Sequence, residues 1–190
     1  MTPPAVVLAS GSPRRRDLIA SLGLSFEIVV PDIDETTRPG EAPVDYVERL
    51  ARDKAAAVAR PGALIIAADT TVVLGGEIIG KPVDRADARS MLRRLSGRTH
   101  TVATGVALAL ESAVVAEVVE TAVTFVALSD AAIDWYVATG EPGDKAGAYG
   151  MQGTGNAFVA AIAGSPSNVI GLPLATVITL AASLGVDLLH

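Results

Sequence analysis

The chain contains no cysteine, which excludes disulfides, thiol nucleophiles and zinc–thiolate centres. Histidine is almost missing as well: His100 and the C-terminal His190 are the only two, too few for a histidine-rich metal site. Any bound metal is therefore expected to be a hard cation held by oxygen ligands. Aromatic residues make up 4% of the chain and the formal net charge is −6, so a basic, aromatic-rich face for nucleic acid or an anionic membrane is not expected. The N-terminal MTPPAVVLAS lacks the basic start and the length of a signal peptide. No charged residue falls between Ala146 and Val186, yet GMQGTGN, GSPSN and GLP break that stretch, and its last periodic segment is too short to span a bilayer. It reads as core, and a soluble cytoplasmic protein is expected.

What is present is 190 residues, half of them hydrophobic, enough for one well-filled domain over 1–190 or for two small lobes sharing a cleft. Ala5–Ala9 is an apolar run suited to a buried strand, followed by Ser12 as a cap, Pro13 at the first helical position and an apolar stripe of Leu18, Ile19 and Leu22. Further strands are expected over Phe26–Val30, Ala63–Ala68 and Ala157–Ile162. Helices are expected over Pro43–Val58, Ala86–Leu95, Asp130–Ala138 and Pro173–Leu184. Two Val-rich runs between Thr101 and Leu128 flank Glu111 and Ser112 as an antiparallel hairpin. The alternation predicts an α/β fold with a mixed, twisted sheet and flanking helices.

Chemistry-bearing residues stand out against this background. SGSPRRRD places arginines and orphan backbone N–H groups at a helix N-terminus leaving a strand, which is the geometry of an anion site. It is neither a Walker A loop nor a dinucleotide fingerprint. Lys54 lies seven residues after Val47 and four after Leu50, on the apolar face of its helix, where it must find an anionic partner or snorkel. Asp69 ends the apolar run ALIIAA, although Asp is depleted in strands. Glu35 lies in the acidic loop DIDETTR, a run that gathers around a hard cation or is simply solvated. Lys81 follows a glycine near a turn, and GEPGDKAGAYGMQGTGNAF mixes glycines with Tyr149, Gln152 and Asn156, as a ligand-approaching loop does.

LASGSPRR, Asp34–Glu35, RLARDKA, AADTTV, GKP, LSGRTH, TGEPGDKAGAYGMQG and NVIGLPL occur in one order, and from Leu8 to Leu174 the chain closely resembles the Maf family of nucleoside triphosphate pyrophosphatases. The resemblance implies a Maf/ITPase-like α/β fold with two lobes around a central cleft, and a homodimer. It implies metal-dependent cleavage of nucleoside triphosphates between the α and β phosphates. Ser10, Arg14 and Arg15 match the family's phosphate-binding positions, and Glu35, Lys54, Asp69 and Lys81 its catalytic ones. Arg14, Thr70 and Gln152 match the selectivity positions of the branch that acts on dTTP and UTP. Glu35 and Asp69 are then the oxygen ligands available for a divalent cation such as Mg²⁺, Mn²⁺ or Co²⁺. General base and metal ligand remain alternative roles for Asp69. The competing readings are a nucleotide-binding regulator of cell division, a pyrophosphatase of a modified purine such as 7-methyl-GTP, and an RNA-contacting domain. A nucleoside triphosphate is the expected partner, with no stable nucleic-acid or membrane partner.

Overall fold

Continuous apolar character makes Ala5–Ala9 a buried strand, β1, and its register with two parallel neighbours fixes the start of the sheet. The computed structural model describes residues 4–189; residues 1–3, the beginning of the N-terminal segment considered above, and His190 lie outside the described residues. From β1 the chain enters α1 (Pro13–Ala20), β2 (Phe26–Ile28) and α2 (Pro43–Ala57), then the long strand β3 (Ala63–Leu74). There follow β4 (Glu77–Ile79), α3 (Arg85–Leu95), β5 (Thr99–Leu110), β6 (Ala113–Phe125), α4 (Asp130–Ala138) and β7 (Val159–Ala163). Two helices, α5 (Pro166–Ile170) and α6 (Leu174–Ser183), end the described chain.

The seven strands hydrogen-bond in the order β2-β1-β3-β5-β6-β7, with β4 paired antiparallel to β3. Parallel pairs on either side of β1 require helical crossovers, which α1 and α2 supply, so the fold is the mixed α/β sheet with flanking helices that the pattern predicted. Among the described residues no helix is long and apolar enough to cross a membrane.

Two compact units share the chain, their boundaries falling inside β3, β5 and β6. The first comprises the chain up to Asp69, Thr104–Val119 and the segment from Gly171 onward. Its core packs Val7 and Ala9 of β1, Ile65 and Ala67 of β3 and Ala107 of β5 against Ala51 and Ala55 of α2. Helix α2 lies directly on β5: a Cβ at Gly105 would stand 2.2 Å from the Val47 carbonyl oxygen. Only a residue without a side chain permits that approach. The second unit, Thr70–Ala103 with Glu120–Ile170, has its own core of Leu92, Leu95, Val102, Val123, Phe125 and Tyr136 with their neighbours.

Four expectations change. The Ala63–Ala68 strand does not stop at Asp69 but continues to Leu74, because Ala68 before the carboxylate and Thr71 and Val72 after it are buried and the charge is met by a partner described below. Ser12 occupies the cap position of α1 without a side-chain cap bond. The last strand begins at Val159 rather than Ala157, since Thr154–Phe158 forms a 3-10 turn that buries Phe158 edge-on to Tyr136, with ring centroids 5.0 Å apart. Helix α5 was not foreseen; its Asn168 donates to the Val102 carbonyl at 3.0 Å and to Thr121 Oγ1 at 2.9 Å.

Candidate active site

The site in the first unit begins where β1 ends. Ser10 is buried, and its hydroxyl accepts the Ser12 backbone N–H at 3.1 Å and Arg15 Nη1 at 3.4 Å. The serine that shapes the turn into α1 is therefore Ser10. Arg15 also donates from Nε to the Gly171 carbonyl at 2.7 Å, so its guanidinium is fixed from two directions. Burial pulls the Arg15 pKa below its ordinary value; Asp69 opposes the shift, Arg14 adds to it and Glu35 opposes it. Arg14, Arg15, Glu35 and Asp69 thus share one electrostatic neighbourhood at the N-terminal end of α1, whose first turn carries no acidic residue.

Lys54 joins the carboxylates. Val47, Leu50, Ala51 and Ala55 turn one face of α2 into the core, and Lys54 shares that face at 6% exposure. It does not snorkel: Nζ lies 2.6 Å from Asp69 Oδ1 and 2.7 Å from Glu35 Oε1. A lysine expected to seek an anion has found two, one from the middle of β3 and one from the loop before α2. The pair with Asp69 is almost dry, with side chains 8% and 12% exposed, whereas Glu35 is half exposed and faces solvent as well. In a drier setting such a pair is costly to break from one side only.

Two carboxylates meeting at one point form an all-oxygen donor set of the kind hard cations take. Among the described residues no three His, Asp or Glu side chains cluster as a ready-made cage. A divalent cation would have to complete its shell from phosphate oxygens and water, which is how Mg²⁺-like ions are commonly held. The residues present fit such an ion.

The remaining candidates belong to the second unit. Thr70, next to Asp69 in β3, is half-buried; Lys81 is exposed just after β4; Gln152 is exposed in the Gly-rich segment. Within that unit the Gly147 N–H donates to the Gly80 carbonyl at 3.0 Å, tying the GKP and AGAYG stretches together. Glu141 organises the segment carrying Gln152: its carboxylate accepts from Tyr136 Oη at 2.9 Å, Thr154 N at 2.8 Å and Gly155 N at 3.2 Å. A Cβ at Gly153 would stand 2.5 Å from Glu141 Oε1, which accounts for a glycine there. Burial alone would raise the Glu141 pKa, but the N–H groups of Thr154 and Gly155 and the Tyr136 hydroxyl hold it below the ordinary value.

Besides Glu141, three residues beside the acidic loop escaped sequence reading. Tyr46 donates its hydroxyl to the Glu35 carbonyl at 3.0 Å, and Arg49 forms a fork with Glu41 at 2.5 and 2.8 Å. Their spacing carries no motif; the one available signal is that Tyr46 and Arg49, three apart, share a helix face next to the acidic loop.

A family model described as Maf-like protein matches residues 5–184. The chain belongs to the Maf family. The matched stretch takes in every candidate residue from Ser10 to Gln152. Among Maf relatives, the dTTP/UTP pyrophosphatase of Anaeromyxobacter dehalogenans is 56% identical over 189 residues, covering 97% of this chain and 96% of that protein. That of Myxococcus xanthus is 55% identical over 185 residues, covering 96% and 94%. That of Shewanella oneidensis is 52% identical over 193 residues, covering 95% and 98%. Of solved structures, the Ham1 protein of Staphylococcus aureus aligns with 66% of this Maf chain and 72% of its own at 16% identity and TM-score 0.45.

Proposed function

We propose that this Maf protein hydrolyses nucleoside triphosphates to the monophosphate and pyrophosphate, with dTTP and UTP preferred, and that residues 1–190 act as one functional domain. The observation that carries the reading is the ammonium of Lys54 held between Glu35 and Asp69, in the same neighbourhood as Arg14 and Arg15. Long relatives named for this activity support it.

In this reading Ser10, Arg14, Arg15 and the N-terminal end of α1 take up phosphate oxygens, which are the charges that dipole and guanidinium both favour. Water attacks the α phosphorus, the bond from that phosphorus to the αβ bridging oxygen breaks, and pyrophosphate leaves. Asp69 Oδ orients the water and receives its proton, while Lys54 keeps the two carboxylates in place and offsets their charge. Positive groups around the leaving pyrophosphate lower the barrier by neutralising charge that grows in the transition state. Glu35 and Asp69 would hold a divalent cation, Mg²⁺, Mn²⁺ or Co²⁺, which supplies charge neutralisation at the phosphates. Lys81 as a further catalytic cation, and Thr70 and Gln152 as substrate contacts, take their roles from the family pattern alone. The Gln152 amide offers a donor and an acceptor to a pyrimidine edge.

A cytoplasmic homodimer without nucleic-acid or membrane partners belongs to the same reading; the net charge of −6 supports the lack of polyanion binding. Pyrophosphate release from a panel of canonical and modified triphosphates, with Mg²⁺, Mn²⁺ and Co²⁺ each supplied, tests the activity. Fastest release is expected from dTTP and UTP. Fastest turnover of a purine overturns the base preference, and tight binding without release overturns the enzyme.

A further inference from the structure

The segment from Asp32 to Gly40 is exposed almost throughout and has no regular secondary structure, so packing does not explain how Glu35 is held against Lys54. Backbone polar groups of an unpacked loop otherwise trade freely with water. Here two of its carbonyls are taken up by α2. Tyr46 Oη donates to the Glu35 carbonyl at 3.0 Å, and Arg49 Nη2 donates to the Thr36 carbonyl at 3.1 Å. Arg49 also grips Glu41, whose carboxylate accepts the Arg38 backbone N–H at 3.0 Å as well. The Arg49 guanidinium lies 5.7 Å from the centre of the Tyr46 ring, so the two donors brace each other. Unlike a surface ion pair, the fork is shielded: Arg49 is 14% and Glu41 8% exposed.

We propose that Tyr46 and Arg49 are positioning residues that clamp the backbone on either side of Glu35 and so hold its carboxylate at Lys54 and Asp69. Four bonds from two side chains one helical turn apart, on the element that also carries Lys54, reach Glu35, Thr36 and Glu41, and Glu41 in turn holds the Arg38 N–H. The same rigid helix thus sets both the ammonium and the backbone that delivers its second carboxylate. Electrostatics agree with the placement: burial raises the Tyr46 pKa to about 12, with Asp69 and Glu35 adding to the shift, so the hydroxyl stays protonated and donating. The proposal rests on the function argued above but makes a separate claim about what fixes the backbone around Glu35.

The test uses Tyr46→Phe, Arg49→Met and Arg49→Lys in the full chain, with Asp69→Asn as the reference for the site itself. Loss of the clamp should lower kcat about tenfold to a hundredfold with KM within about twofold, the effect of a slightly misplaced group in the chemical step. Arg49→Lys should recover part of the Arg49→Met loss, because it keeps the charge but not the fork. In a Glu35→Gln background Tyr46→Phe should cost little further, since a residue acting through Glu35 has nothing left to position. Equal losses in both backgrounds overturn the proposal. Hydrogen exchange is the second readout: amides of 34–41 should exchange faster in Tyr46→Phe and Arg49→Met, and unchanged exchange there also overturns it. Full activity of Asp69→Asn would instead overturn the reading of the site, while the exchange result would still decide the clamp.

Discussion

At the scale of single residues, the informative contacts are those of one lysine. Lys54 is charged, buried and shared by two carboxylates, so its partners differ in what their loss should do. Asp69→Asn leaves the Lys54–Glu35 pair standing and keeps the side-chain volume, so the chain should still fold, with a smaller loss of stability than removal of the lysine causes. Turnover should nevertheless fall by about two to four orders of magnitude, the range for lost acid–base help, and pyrophosphate release from UTP or dTTP measures it. Lys54→Met does the opposite. It leaves two carboxylates facing each other without their cation, and removing one partner of a buried pair costs about 3–5 kcal/mol. Denaturant unfolding should show that loss, and Lys54→Met combined with Asp69→Asn should be less destabilised than the two single effects added, because the double variant no longer strands a buried charge.

At the scale of elements, the site depends on how closely α2 approaches the sheet. Gly105→Ala would drive a Cβ into the Val47 carbonyl, and the obstacle is backbone that no rotamer change can move aside. The helix must shift, carrying Lys54 with it. A loss of about 1–3 kcal/mol or more is expected for such overpacking, read from the denaturant midpoint, together with a fall in kcat that Gly→Ala at an open turn would not produce. This dependence also explains what sequence could and could not reveal. The helical stripe through Val47, Leu50 and Val58 is visible as periodicity, and it alone puts Lys54 on the inward face. The run ALIIAA showed where β3 begins, and the period-two spacing of Val119, Thr121, Val123 and Phe125 placed these four on one face of β6, of which the last three are buried and Val119 half-buried. Where β3 ends was not visible, because a strand tolerates Asp69 only when a cation from another element meets it, and that pairing spans 15 positions. Tyr46 and Arg49 were invisible for a related reason: they reach the Glu35 and Thr36 carbonyls, and backbone atoms leave no trace in residue identity. Glu141 was hidden in the same way, since two of its partners are the N–H groups of Thr154 and Gly155.

At the scale of the whole molecule, stability should carry the signature of a buried neutral histidine. His100 is 2% exposed, its Nε2 lies 2.8 Å from Tyr149 Oη, and its Nδ1 has no hydrogen-bond partner among the described residues. Phe125 packs edge-on at 5.0 Å and Tyr149 at 5.4 Å, so no charge nearby compensates an imidazolium. Burial lowers the His100 pKa to about 4, and it raises that of Tyr149, which therefore stays protonated. The unfolded chain, with an ordinary histidine pKa near 6.5, binds the proton first as pH falls. Between about pH 6.5 and 4 the unfolded state thus holds more protons, and stability declines with acid at up to about 1.4 kcal/mol per pH unit; above that window the contribution is complete. His100→Gln removes the titration while keeping a partner for the Tyr149 hydroxyl. Its melting temperature should start lower than the parent's at pH 7, because a buried amide brings new unmet polar groups, but it should fall less between pH 7 and pH 5. Parallel melting curves over that range, with the same slope in parent and variant, would mean that His100 accepts a proton in the folded core.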